Sequence, residues 1–120
     1  MKPHNTLQEI EEMLLNLIEV EKGKILEDNS KEEARSRGVI DSVKYSLLIA
    51  KSNLKEDKKG NVANKDQIVV YLQSKLSRSI YEMFRAEEKY KIKQSKRLEN
   101  NIAYYESMID TLQFIRENIN

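Results

Sequence analysis

The residues with the clearest capacity for chemistry lie between Arg85 and Arg97. Arg85, Lys89, Lys91, Lys93, Lys96 and Arg97 place six positive charges within thirteen residues, with Tyr90 among them and Lys75 and Arg78 upstream. Closely spaced ammonium and guanidinium groups contact phosphates, and a tyrosine ring among them can stack on a base. The plainer reading of the same residues is a solvated helix face. In that reading the charges pair partly with Glu82, Glu87, Glu88 and Glu99, and the long lysine stems cover apolar surface.

No other constellation carries comparable chemistry. The one histidine, His4, sits beside Pro3 near the start, where a ligand role is improbable, and it has no second histidine for a Glu-x-x-His metal pair. There is no cysteine, so neither a thiolate metal site nor a disulfide framework is available. No Ser-His-Asp or Cys-His set can be assembled, and no glycine-rich phosphate loop is present. Glu11/Glu12, Glu32/Glu33 and Glu87/Glu88 are adjacent carboxylates. Acid–base work requires one of them in a dry pocket, and all fall on polar faces. The expectation is a non-enzymatic protein without metal or cofactor.

Charge is distributed unevenly along the chain. Residues 1–30 carry 3 basic and 7 acidic side chains (net −4), residues 31–97 carry 17 and 9 (net +8), and residues 98–120 carry 1 and 4 (net −3). A basic middle is thus flanked by acidic ends that can neutralise it if they fold against it. The absence of cysteine fits a cytoplasmic protein, and the opening MKPHNTLQEIEE is too polar for a signal peptide. The longest apolar run, Met13 to Ile18, is broken by Asn16 and is far too short to span a bilayer. Lys, Asn, Ile and Tyr are abundant, a bias of AT-rich genomes such as those of some bacteria and phages.

The elements that position the cluster must be helical. Three glycines and one proline in 120 residues leave too few turn-formers for an all-β chain. Thr6-Leu-Gln-Glu9 is a capping box, and Leu7, Ile10, Leu14 and Leu17 follow a 3-4-3 rhythm, which predicts helix 1 over 6–27 with Ile25 on its stripe. Asp28-Asn29-Ser30 breaks the chain. Ser30-Lys-Glu-Glu33 is a second box, and Ile40, Val43, Leu47, Ala50 and Leu54 predict helix 2 over 31–55. Gly38 lies inside it, to kink the helix or to let another helix come close. Lys55 to Asn64 is a loop around Gly60-Asn61, and Asn64-Lys-Asp-Gln67 has the form of a third cap.

Helix 3 begins near Lys65, with Val69, Leu72, Leu76, Ile80, Met83 and Phe84 as its stripe. The stripe thins over 86–97 and resumes as Leu98, Ile102, Tyr105, Ile109 and Leu112. Unbroken, this helix would reach about 75–80 Å, too long for so small a core, so a break near Lys89–Ser95 is expected. Tyr71, Tyr81, Tyr104 and Tyr105 read as core-edge residues with wet hydroxyls. The predicted fold is a single all-α domain over 1–120, a small bundle of three to four long amphipathic helices. The stripes at Ile40–Leu54 and Leu98–Leu112 are narrow and near-heptad, which suggests a homodimer seam.

From Val39 onward the order of features resembles the GatB/YqeY family, the tail domain of the aminoacyl-tRNA amidotransferase B subunit and its free-standing relatives. IDSVKYSLLIAKSNLKED is similar to that family's early helix and charged loop. NKDQIVVYLQSKLSRSIYEMFRAEEK resembles the next helix with its E-x-F-R-like end, and ENNIAYYESMI resembles the stretch after it. The similarity covers about 70 residues of the 120. The family's A-G-R turn is here Ala86-Glu87-Glu88, its Leu-Pro is Ile109-Asp110, and its C-terminal three-helix part has no counterpart in these residues. The resemblance implies contact with tRNA. Together these readings lead to a binding module for tRNA or other structured RNA, acting through Lys75, Arg78, Arg85, Lys89, Tyr90, Lys91, Lys93, Lys96 and Arg97. The alternative is a helical protein-interaction module or small phage or bacterial regulator working through an exposed apolar face.

Overall fold

Capping chemistry sets where the helices begin. The computed structural model describes residues 6–22 and 30–119; His4, Ile25 and the predicted end of helix 1 lie outside the described residues. The hydroxyl of Thr6 accepts the Glu9 amide at 3.1 Å and starts α1, Leu7–Lys22. Ser30 accepts the Glu33 amide at 3.1 Å and starts α2, Lys31–Asn53. The helix α3 spans Lys65–Ile92 and α4 spans Lys96–Ile119. Between them the chain breaks at residues 93–95, within the expected interval, and Ser95 supplies a cap by accepting the Leu98 amide at 3.1 Å. The longest dimension is accordingly 56 Å, well short of one continuous rod.

The third predicted cap is corrected by the geometry. Asn64 does not bond the first turn of α3 with its side-chain oxygen. That oxygen accepts the Lys55 amide at 2.8 Å, while the amide nitrogen donates to the Asn53 carbonyl at 2.6 Å and to Gln67 Oε1 at 3.1 Å. Asn64 ties the end of α2 to the start of α3. The loop between them turns at Gly60, the one described residue with positive φ (80°), and Asp57 Oδ1 accepts the amides of Lys59 and Asn61.

Successive helices run antiparallel, so α2 and α4 are parallel, and they form the closest pair. Ser107 donates to the Arg35 carbonyl at 2.5 Å, and further along Ser42 approaches the Met108 carbonyl at 3.4 Å. The helix α1 lies on α2 and α3 lies on α4. The α2–α4 contact is built from small residues. Gly38, Ser42, Ser46 and Ala50 recur every four residues on α2 and are all buried; Gly38 packs on Tyr104, Ser107 and Met108 of α4, and Ser42 reaches Met108. A β-carbon on Gly38 would overlap the Tyr104 carbonyl oxygen and stand 3.0 Å from the Ser107 β-carbon. Of its two sequence readings, Gly38 therefore takes the close-approach role. The serines stay satisfied in this dry seam by donating one turn back: Ser42 to the Gly38 carbonyl at 2.7 Å and Ser46 to the Ser42 carbonyl at 2.8 Å.

One apolar cluster joins all four helices: Ile10, Leu14 and Ile18 from α1, Ile40 and Val43 from α2, Ile68, Leu72 and Leu76 from α3, and Met108, Leu112, Ile115 and Ile119 from α4. The near-heptad stripes of α2 and α4 are thus used inside the chain, with Leu47, Tyr105 and Ile109 partly buried against this cluster. On α3 the sequence stripe needs one correction. Phe84 is 57% exposed, because its neighbour Met83 takes the inward position, and Ala86 is buried instead.

Candidate nucleic-acid interface

The nine candidate residues stand in different surroundings. Lys75 lies at the α2–α3 contact, its ammonium 5.2 Å from the centre of the Tyr45 ring. Arg78 and Arg85 lie one turn either side of Tyr81, 5.7 and 5.8 Å from its ring centre, and both approach Glu82, at 3.1 and 4.0 Å. Lys91 pairs with Glu88 at 3.1 Å. These four cations already have partners within the chain.

Tyr90 is partly buried at the corner between α3 and α4, where its hydroxyl donates to Glu99 Oε1 at 2.9 Å. That bond to a carboxylate, with burial added, raises its pKa above the usual tyrosine value. Its ring lines a small hollow with Lys31, Arg35, Ile102 and Glu106, so the side chain braces the corner rather than standing out as a stacking platform.

The remaining four are different. Lys89, Lys93, Lys96 and Arg97 are all exposed and have no ion pair among the described residues. Lys89 precedes the three-residue break, Lys93 stands in it, and Lys96 and Arg97 open α4. Lys96 and Arg97 stand in the first turn of α4, where the positive end of the helix dipole adds to their charge. Sequence reasoning identified all four as basic without separating them from the other five. The discriminating signal, an acidic residue three or four positions away on the same face, is legible for Arg78 with Glu82 and for Lys91 with Glu88. For Tyr90 and Glu99 it appears only once the chain folds back.

Several of the other chemical candidates make local contacts. Glu33 accepts from Arg37 at 2.7 Å and Glu12 from the Gln8 amide at 3.1 Å. Tyr104 and Tyr105 meet edge-to-face with centroids 5.1 Å apart, and the Tyr104 hydroxyl donates to Asp41 at 2.5 Å. Among the described residues no three His, Cys, Asp or Glu side chains gather in a way that could hold a metal ion. No helix among them is long and apolar enough to cross a membrane. A scan against protein-family models matches none, and comparisons with curated proteins and with solved structures find no match.

Proposed function

We propose that the chain is a non-enzymatic binding module for structured RNA, with tRNA the leading candidate, and that the contact is made by the corner between α3 and α4. The observation that carries this reading is the set Lys89, Lys93, Lys96 and Arg97, four exposed cations around one turn without carboxylate partners among the described residues. An anionic backbone is the natural counterpart of such a set, because each phosphate contact releases condensed counterions. The order of features shared with the GatB/YqeY family supports tRNA as the RNA class; that support rests on the stretches quoted above alone.

The test is the salt dependence of binding to a tRNA transcript. Four phosphate contacts give a slope of log affinity against log salt of about −3 to −4. The K93A/K96A variant should lower its magnitude by about 1.4–1.8 while leaving thermal stability unchanged, because exposed charges contribute little to folding. Absence of binding at low salt, or a slope unaffected by these substitutions, rejects the reading.

A further inference from the structure

The outer face of α3 carries a second feature that the corner does not use. Ile68, Leu72 and Leu76 turn one side of the helix into the core. On the opposite side Val70, Tyr81 and Ile92 recur every eleven residues, about three turns, so they fall on one line, and Phe84 stands beside it one turn beyond Tyr81. Their exposures are 64, 54, 88 and 57%. The line is about 33 Å long, the reach of a partner helix of some six turns. Ser74, Ser77 and Glu88 interrupt it, which suits reversible rather than permanent contact.

The two edges of this line differ in charge. Arg78 and Arg85 stand along one edge and share a single carboxylate, Glu82. Both guanidiniums lie against the Tyr81 ring, so they are held in place before any partner arrives. Lys89 continues that edge one turn further without a carboxylate. The face is therefore apolar along its middle and electropositive along one side. A nucleic-acid backbone would leave Val70 and Ile92 with nothing apolar to bury against. A second copy paired antiparallel about Tyr81 would set arginines beside arginines. An amphipathic helix with carboxylates along one edge satisfies both the line and the charge.

We propose that the outer face of α3 docks an acidic amphipathic helix of a partner protein, its apolar stripe on Val70, Tyr81, Phe84 and Ile92 and its carboxylates on Arg78 and Arg85. This goes beyond RNA binding and, Lys89 apart, uses a different set of side chains.

Two synthetic helices test it. They share one apolar stripe and a single Trp, which reports cleanly because the chain contains none; one carries Glu along an edge and the other Lys. The full chain should bind the Glu helix saturably and the Lys helix at least about tenfold more weakly, a difference that one well-placed charge pair can supply. Y81A/F84A should weaken binding of the Glu helix about tenfold or more, and R78E/R85E should reverse the preference. All these variants should melt like the parent because the positions are exposed. K93A/K96A, which tests the RNA reading, should leave helix binding intact. Three outcomes overturn the proposal: equal binding of both helices or of neither; a dimer in sedimentation that Y81A/F84A dissociates, which assigns the face to a second copy; and protection of Tyr81 and Phe84 by tRNA, which assigns it to RNA.

Discussion

The backbone of Gly38 lies against the carbonyl oxygen of Tyr104 in a space that no β-carbon can share. The Met108 amide nitrogen, 3.1 Å from where that carbon would stand, closes the other side. Both neighbours are backbone, so neither can rotate away.

This makes G38A a sharp test of the α2–α4 seam. In a solvated helix the substitution would stabilise by up to about 1 kcal/mol. Here overpacking costs about 1–3 kcal/mol, so the net expectation is a loss of roughly 1–2 kcal/mol, and more for G38V. Urea unfolding measures it. An unchanged or raised midpoint would mean that α2 and α4 separate at no cost.

Asn64 should matter although it is not buried. N64A removes the partners of the Asn53 carbonyl and the Lys55 amide together. Water reaches this loop and replaces part of the loss, so the cost is about 1 kcal/mol. Amide exchange at Lys55 should accelerate by more than the global stability change explains. Equal acceleration across all four helices would place the effect elsewhere.

Alkaline pH should weaken the fold through Tyr104. Burial first, and then the bond to Asp41, push its pKa well above the ordinary value of 10.0. The unfolded chain therefore loses this proton before the folded one does. Stability from this group is intact below pH 10 and declines as pH rises above it. Tyr45, raised chiefly by burial, adds in the same direction. Melting curves between pH 8 and about pH 11.5 should show the decline, and Y104F should make it shallower. Parallel curves for the two proteins would contradict the assignment.

Tyr90 is predicted to be a brace, not a contact. Y90F deletes only the hydroxyl that Glu99 accepts and should leave tRNA affinity unchanged. A marked loss of affinity in Y90F would show that the hydroxyl faces RNA and would redraw the interface.

Much of this was legible in the chain because helix periodicity and Ser/Thr caps are local signals. Leu7, Ile10 and Leu14 or Val69, Leu72 and Leu76 announce a buried face whatever packs on it. The α2–α4 seam was not legible. Ser42, Ser46 and Ser107 count as polar in any hydrophobic pattern, yet each bonds a carbonyl and leaves room for a close crossing. Phe84 misled for the opposite reason: adjacent Met83 and Phe84 fit one stripe on paper, but Met83 is partly buried while Phe84 falls toward the outer side of α3. At the corner, residue type was readable and commitment was not, since the bond between Tyr90 and Glu99 spans two helices.

The parallel alignment of α2 and α4 also dictates an order of assembly. Two parallel helices cannot be joined by a tight turn, so α3 must carry the chain back along the bundle first. The α3–α4 hairpin closes across a three-residue break, whereas Ser42 and Met108 are separated by 66 positions. Loop entropy therefore favours the hairpin as the early structure and leaves α2 to dock onto it. Substitutions in the α2–α4 seam should then act mainly on the unfolding rate, and those between α3 and α4, such as at Ser79 or Leu112, on the folding rate. The helix whose outer face carries exposed Val70, Tyr81, Phe84 and Ile92 is also the strut on which the rest of the chain is assembled.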